Sequence, residues 1–267
     1  MVMGPTHAMS GAGAGLAIGA FLPVAWGGAT SATEVFVFAG VTAGAALLPD
    51  LDTPQSTLAR SFGPVSQALA HLTERVSTTV YSLTRTRKDT RITNGHRTAT
   101  HTLWFAFLAG AGTAALVSSF GKNAAIGVLF FMLGLALRGL APDWSRKQDW
   151  LYVTGLSLAL AVVVWFALPA SVSSTALGAA VATGVVVHLL GDMITKRGVP
   201  LLGGIVRIGG KRWRNFRPPG RLRVRAGGGA DKLLALACTA VTVVLAYCVV
   251  WAPHVIGAPW SAAGAVA

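Results

Sequence analysis

Acidic residues are scarce in this sequence: nine Asp and Glu stand among 267 residues, and charged residues of both signs together reach only 12%. Hydrophobic residues make up 53%, and the mean hydropathy is +0.61. Soluble globular domains carry about 25% charged residues, so this chain has too little charge to cover its own surface with charged groups. The composition excludes an ordinary soluble protein and predicts one whose surface is covered by a lipid bilayer.

Cysteine is almost absent as well. Cys238 and Cys248 are the two in the sequence, and both fall in its last apolar run. Ten residues of helix separate them by about 15 Å, which is too far for a disulfide between them. We interpret both as lipid-facing or packing residues.

Long apolar runs are abundant instead. A helix of about 20 apolar residues crosses a hydrocarbon core of about 30 Å, and a helix satisfies its own backbone hydrogen bonds where water is absent. The qualifying runs are His7–Trp26, Glu34–Pro49, His101–Phe120, Ala124–Ala141, Trp150–Leu168, Thr175–Thr195 and Leu233–Trp251. We therefore predict an all-α, polytopic transmembrane bundle of about seven spans in a single integral-membrane domain. The second run is short and rich in Gly and Ala, so we expect it to tilt, pack centrally or be re-entrant.

The basic residues set the expected orientation. Seven Lys and Arg lie between Asp52 and His101, eleven lie between Thr195 and Leu233, and three lie at the end of the fourth run or just after it, which leaves only Lys122. With a cytoplasmic N-terminus and seven spans, all three basic connections face the cytoplasm, as the positive-inside rule requires. We predict a multi-pass protein of the inner (plasma) membrane, with the N-terminus cytoplasmic and the C-terminus outside.

Two of the connections have a recognisable character. Within residues 58–83, apolar residues recur at three- and four-residue steps, which predicts an amphipathic helix on the cytoplasmic surface. The basic loop 196–232 contains Lys211–Arg225, where arginines alternate with Trp213 and Phe216, a pattern that nucleic-acid-binding segments share. Anionic lipid attracts such a loop by about 1 kcal/mol per Lys or Arg. We therefore expect membrane lipids, and no specific nucleic acid, as the partner.

Ionisable residues gather near the predicted cytoplasmic ends of the apolar runs. His188 and Asp192 are four residues apart and share a helix face within the sixth run. A buried pair of this kind is costly without a partner, so it indicates a functional site; the alternative is a hydrogen bond that only ties helices together. Asp50 and Asp52 end the second run and are available as partners.

Together these stretches predict a metal site at the cytoplasmic membrane face. The candidate ligands are His7, Asp50, Asp52, His96, His101, His188 and Asp192. Imidazole and carboxylate ligands suit Zn, Mn or Fe better than Mg or Ca, and an open coordination position lowers the pKa of a bound water to about 7. Seven candidates exceed one tetrahedral shell, so either two ions bind or some residues orient ligands or act in catalysis. The catalytic candidates are Asp52, His96 and, as a phosphate anchor, Arg97, for which a plain positive-inside role is the alternative.

The motifs resemble those of a known family. They are Thr6-His7, Leu48–Asp52, His96–His101 and His188–Val199. In combination they are similar to the YdjM-like family of predicted membrane-bound metal-dependent hydrolases, also called LexA-binding inner-membrane-associated hydrolases. The resemblance implies a multi-span inner-membrane protein and metal-dependent hydrolysis, with no settled substrate. Thr98 stands where the family often has Gly, and Asp231 is the weaker match to an acidic residue near the last span.

Three functions are consistent with this sequence. The first is a hydrolase of an ester or phosphoester at the lipid surface, such as a phospholipid or a polyprenyl phosphate. The second is a transporter in which His188 and Asp192 relay a proton or a metal ion, and it predicts ionisable residues throughout the membrane depth. The third is a non-catalytic scaffold or nucleic-acid tether using Lys211–Arg225, and it predicts no role for Asp50 or His96.

Overall fold

A computed structural model of the chain describes residues 3–22, 28–92, 94–145, 147–167, 173–258 and 260. Over these ranges the chain is helical and forms no β-strand, which confirms the predicted all-α class. The helices are α1 (Gly4–Phe21), α2 (Ala32–Ala45), α3 (Pro64–Thr84), α4 (Leu103–Leu140), α5 (Pro142–Ser145), α6 (Trp150–Ala167), α7 (Ser174–Met193) and α8 (Gly229–Trp251). The predicted ends of the first and fifth spans, Trp26 and Leu168, lie outside the described residues.

Several helices are long and apolar enough to cross a membrane. In the described part of the chain there are five such segments: Ala32–Asp52, Leu103–Leu140, Trp150–Ala167, Ser174–Met193 and Gly229–Trp251. Helix α1 is not among them, because its glycines and its polar residues Thr6, His7 and Ser10 lower its hydropathy. It nevertheless packs along α2 and α8.

Helix α4 reverses direction at Gly121. Its 38 residues are interrupted there by a backbone with φ 58° and ψ −142°, a conformation that glycine adopts readily. A straight helix of that length would measure about 57 Å. Both ends nevertheless reach one region, since His101, just before α4, lies 4.0 Å from Asp50, and a Cβ on Gly139 would lie 2.5 Å from Leu47. The chain therefore folds back at Gly121, in the interval between the third and fourth predicted runs.

Helix α2 occupies the centre of the bundle, which is one of the three alternatives stated for the second run. Of the most apolar stretch in Ala32–Asp52, 67% is buried inside the protein, against 6% in Gly229–Trp251. Glycines allow its neighbours to approach closely: a Cβ on Gly184 of α7 would lie 2.4 Å from the Thr42 carbonyl oxygen, and one on Gly11 of α1 would lie 2.8 Å from the Ala46 Cβ. This small-residue packing brings α1 and α7 against the end of α2.

Gly184→Ala is therefore expected to destabilise the bundle by roughly 1–3 kcal/mol, because the added methyl forces α7 away from α2. Thermal unfolding in detergent would measure the loss. Gly112→Ala, in α4, is the matched control, since nothing lies within 4 Å of the Cβ it would add. Equal melting temperatures for the two variants would contradict the close contact between α7 and α2.

Helix α3 carries its apolar residues on the outside. Val65 is 76% exposed and Leu83 is 79% exposed, which agrees with an amphipathic helix whose apolar face meets lipid. The face turned to the protein consists of Ser66, Ala70, Ser77 and Tyr81. The predicted helix started at Leu58, but a separate 3₁₀ turn spans Leu58–Arg60, and α3 begins only after Gly63, whose φ is 59°.

The basic loop after α7 is folded against the bundle. Val199 pairs with Phe216 through two backbone hydrogen bonds of 3.2 and 2.8 Å, and Thr195 forms a bridge with Val224. The Trp213 indole is 7% exposed and donates to the Thr84 hydroxyl at 3.0 Å. The loop is thereby fixed to the C-terminal end of α3.

Asp89 provides a second attachment for this loop. Its carboxylate accepts hydrogen bonds from the backbone N–H of Arg212 at 3.2 Å and of Trp213 at 3.1 Å, as well as from Thr86 at 2.7 Å. Burial alone would raise the pKa of Asp89, but these backbone hydrogen bonds lower it below its usual value. The carboxylate is therefore ionised at neutral pH and fully engaged by the backbone.

Candidate metal centre

His188, near the end of α7, presents an unprotonated nitrogen to the centre of the cluster. Its Nδ1 lies 2.8 Å from the carbonyl oxygen of Ala46. A carbonyl oxygen only accepts, so Nδ1 carries the proton and Nε2 keeps its lone pair. Nε2 points to His101, whose own Nε2 is 3.2 Å away. Hydrogen bonding of one ring nitrogen to fix the tautomer of the other is typical of metal-binding histidines.

His101 has the same arrangement on the opposite side. Its Nδ1 lies 3.0 Å from the Thr100 hydroxyl, which donates its own hydrogen to Asp52 at 2.6 Å, so the hydroxyl oxygen accepts from Nδ1. Two Nε2 lone pairs at 3.2 Å repel each other unless a proton or a cation lies between them. When a zinc ion with tetrahedral coordination binds two nitrogens at about 2.0–2.1 Å, those nitrogens lie about 3.3 Å apart. The spacing therefore fits a shared metal ion.

His7 and Asp50 contribute buried atoms that lack hydrogen bonds. The His7 ring stacks on the His188 ring, with centroids 3.9 Å apart. Among the described residues, neither ring nitrogen of His7 has a hydrogen-bond partner, and neither does Asp50 Oδ1. Each unsatisfied buried group costs about 1–3 kcal/mol. A cation beside the two facing imidazoles would bind one His7 nitrogen and Asp50 Oδ1, and so would satisfy two of these three atoms.

Asp192 is fully buried and connects the histidines to an arginine. It lies 3.4 Å from His7 Nε2 and forms an ion pair with the Arg97 guanidinium. Arg97 also donates to the Gly198 carbonyl at 3.2 Å and to the Thr195 hydroxyl at 3.3 Å. Its Nη groups are therefore engaged within the protein, and its predicted role as a phosphate anchor stays a prediction.

The backbone at Arg97 is unusual. Its φ of 60° is rare for a residue other than glycine, and it directs the Arg97 N–H to Asp52 Oδ2 at 3.2 Å. Strained backbone of this kind concentrates at functional sites, where the surrounding contacts enforce it. Here the strain lets one residue hold Asp52 with its backbone and Asp192 with its side chain.

Asp52 binds neighbouring residues of the cluster, including His96, which lies at the partly exposed edge of the cluster. Its Oδ1 lies 2.6 Å from His96 Nδ1, and the His96 side chain is 16% exposed. Burial on its own would lower the pKa of His96, but the hydrogen bond and the charge of Asp52 raise it above its usual value. Both Asp52 oxygens accept hydrogen bonds, so this carboxylate orients other groups.

Three overlapping groups of side chains could hold a metal ion, each with ligand atoms within 4.8 Å of one another. They are His7, Asp50 and His188; Asp50, His96 and His101; and His101, His188 and Asp192. The structure thus brings six of the seven predicted ligands together and places Asp52 outside these groups. With neutral imidazoles, the three buried carboxylates and the Arg97 guanidinium leave two negative charges, which one divalent cation would balance.

The sequence did not reveal the contacts that hold these ligands in place. The Ala46 carbonyl meets His188 across 142 residues, and no residue pattern marks a backbone carbonyl as a partner. The Thr100 hydroxyl was visible between the two histidines of its motif, but its contact with Asp52 was not. Asp192 and Arg97 were both predicted site residues, yet their pairing across 95 residues had no sequence signal.

Asp231, the weaker match to the family's acidic residue near the last span, is held by several hydrogen bonds. It lies in the first turn of α8 and is 1% exposed. Its carboxylate accepts hydrogen bonds from the Thr6 hydroxyl at 2.9 Å, the Met3 N–H at 3.2 Å and the Gly227 N–H at 2.8 Å. It therefore ties α8 to the turn of α1 that carries the adjacent His7.

A comparison with known proteins places these motifs in a family. Residues 1–152 match the family described as YdjM inner membrane protein, a segment that includes His7, Asp50, His96 and His101, whereas His188 lies beyond it. No curated protein and no solved structure matches the chain. The match supports the predicted inner-membrane location, while the orientation of the termini stays a prediction. Because it covers more than half of the 267 residues, the chain belongs to the YdjM inner membrane protein family.

Proposed function

We propose that this protein is a membrane-bound metal-dependent hydrolase that acts on an ester or phosphoester, such as a lipid phosphate, at the cytoplasmic membrane face. One observation carries the proposal: buried imidazoles and carboxylates with unsatisfied atoms converge beside an open, basic cavity. Neither the buried cluster alone nor the cavity alone implies hydrolysis. A cation site next to an accessible cavity is what metal-assisted hydrolysis requires.

The ion would be held by His7, Asp50, His101, His188 and Asp192. Imidazole and carboxylate ligands favour Zn, with Mn or Fe as alternatives, and Asp50, shared by two of the ligand groups, allows one ion or two. When bound, such an ion acts as a Lewis acid and acidifies a water molecule.

His96, oriented by Asp52, would transfer the protons of the reaction. His96 is at the rim, where the cavity begins, and its Nδ1 is bound to Asp52. His96 Nε2 would take a proton from water and return one to a leaving group, while Asp52 fixes the ring. Arg97 positions both carboxylates by its backbone contact with Asp52 and its ion pair with Asp192.

The distribution of the cluster favours a hydrolase over a transporter. A relay would need ionisable side chains along the path through the bundle. The ligands instead come from the first turn of α1, the 3₁₀ turn Leu48–Asp52, the turn before α4 and the last turns of α7. All of these meet at one end of the bundle, beside the cavity that His96 lines.

Hydrolysis of lipid phosphates by the purified protein tests the proposal. Phosphate release from phosphatidic acid and from a polyprenyl phosphate is expected to stop with a chelator and to return with zinc or manganese. Asp50→Asn is expected to remain inactive after metal addition. A metal-loaded protein that hydrolyses neither these lipids nor a lipid diphosphate, or activity that survives both the chelator and Asp50→Asn, would contradict the proposal.

A further inference from the structure

A basic cavity of about 460 Å³ opens beside the metal centre. His96 and Arg97 form the wall that it shares with the cluster. Its remaining cationic side chains come from the loop after α7: Lys196, Arg197, Lys211 and Arg217. A segment distant in sequence thus places four positive charges in front of His96.

A second cavity, of about 770 Å³, adjoins the first. The two share Lys211, Trp213 and Arg217, and the second adds Arg214 and Arg223. We call the two cavities together the basic groove, with the cavity at His96 as its inner part and the other as its outer part. Each part has cationic residues of its own: Lys196 and Arg197 line only the inner part, and Arg214 and Arg223 line only the outer part.

Most of the positive charge of the groove is not neutralised by an ion pair. Among the residues that the structure describes, Asp89 is the only carboxylate in its walls, and the backbone N–H groups of Thr86, Arg212 and Trp213 bind that carboxylate. Within the described ranges, Arg97 is the only groove arginine or lysine in an ion pair. The groove is therefore available to an anionic ligand.

The groove is also built on fixed backbone. Arg217 donates to the Lys196 carbonyl at 3.4 Å, and Asn215 donates to the Arg197 carbonyl at 3.1 Å. Trp213 is buried against Tyr81, with ring centroids 5.0 Å apart, so its faces do not serve as a stacking platform for bases. Without that platform, the groove fits phosphate groups better than single-stranded nucleic acid.

We propose that the basic groove binds the substrate through two phosphate groups, so that diphosphate esters are the substrate class of this site. One phosphate would lie at His96, and the other would lie among Lys211, Arg214 and Arg217. Arginine and lysine bind phosphate through charge-assisted hydrogen bonds. The inference rests on the proposed hydrolase function and deepens it.

The reaction balances for this class. The water oxygen bonds to the phosphorus beside His96, and the bridging P–O bond of that phosphorus breaks. His96 Nε2 takes one proton of the water. The products are inorganic phosphate and a phosphomonoester, whose leaving oxygen becomes part of a phosphate anion held by the outer cationic residues, so no oxidant or further reactant is needed.

Binding of inorganic pyrophosphate tests the groove without requiring turnover. Calorimetry on chelator-treated protein at fixed salt is expected to show pyrophosphate binding at least roughly tenfold tighter than inorganic phosphate, because a second charged contact contributes about 1.5–3 kcal/mol. The double variant Lys211→Gln/Arg217→Gln is expected to lose at least roughly tenfold in pyrophosphate affinity. The matched control, Arg207→Gln/Arg221→Gln, removes the same charge from exposed positions of the same loop that line neither cavity, and it is expected to change the affinity by less than about twofold.

Equal weakening in both double variants, or equal affinity for phosphate and pyrophosphate, would overturn the inference. Measurement of pyrophosphate hydrolysis then distinguishes the hydrolase proposal from the groove proposal. Pyrophosphate binding through the groove without any hydrolysis would leave the groove standing and refute the hydrolase. Hydrolysis that Lys211→Gln/Arg217→Gln leaves unchanged would refute the groove alone.

Two substrates distinguish a lipid diphosphate from a soluble diphosphate as the natural ligand. A prenyl diphosphate in detergent micelles represents a lipid, and a nucleoside diphosphate represents a soluble compound. Faster hydrolysis of either one than of the corresponding monophosphate supports the diphosphate class and identifies its source. Faster hydrolysis of both monophosphates would overturn it.

Discussion

Asp50→Asn is expected to lower the affinity for a divalent ion by roughly a hundredfold or more, since loss of even an indirect partner of a metal ligand costs 10–100-fold. Asp50 belongs to two of the three ligand groups, and its Oδ1 has no hydrogen bond among the described residues. Asparagine keeps the size of the side chain but removes its charge. Elemental analysis of the purified protein and competition with a chromophoric chelator would measure the change.

Asp143→Asn is the matched control for this experiment. Asp143 is an exposed aspartate in α5 and belongs to none of the three ligand groups. The substitution makes the same change in charge, so its metal content is expected to equal that of the wild type. If Asp50→Asn also retains the wild-type metal content and affinity, the cluster does not bind a metal through Asp50.

Arg97→Gln is expected to destabilise the metal-free protein by roughly 3–5 kcal/mol, because it leaves a buried charge without its partner. That charge belongs to Asp192, which is 0% exposed and paired with the Arg97 guanidinium. A bound divalent ion supplies positive charge at the same carboxylate, so the loss is expected to be smaller when metal is present. Thermal unfolding in detergent, with chelator and with saturating zinc, would measure both values.

Two further variants make the Arg97 prediction specific. Arg97→Gln/Asp192→Asn removes both charges and is expected to regain much of the stability lost in the single variant under chelator. Arg91→Gln removes an exposed charge from the same connection and is expected to change stability by at most about 0.5 kcal/mol. An equal loss in Arg97→Gln with and without zinc would mean that the ion and Arg97 do not act on the same carboxylate.

The sequence predicted the architecture because long apolar runs leave few alternatives. Each span must be a helix, and the polar residues between spans mark the connections. The reversal at Gly121 was visible as a gap between the apolar runs ending at Phe120 and starting at Ala124. The separate start of α3 at Pro64 was not predicted, although Gly63-Pro64 was visible as an interruption of the apolar pattern.

The candidate ligands were predictable for a related reason. In a chain with nine acidic residues, carboxylates at the ends of apolar runs are conspicuous, and so are histidines placed beside them. Membrane topology then brings distant residues to one face. The partner of His188 was not predictable, since Ala46 acts through its carbonyl, and neither was the contact of Asp89 with the backbone of the basic loop. Neither contact depends on a residue pattern along the chain.

Anomalous diffraction from crystals of the zinc-loaded protein, measured at the zinc absorption edge, tests the central claim most directly. We predict a peak bound by Asp50 and by Nε2 of His101 and His188, at roughly 2.0–2.2 Å from each ligand atom. Zinc found only at other positions, with these side chains left uncoordinated, would contradict a metal centre at the junction of α1, α2, α4 and α7.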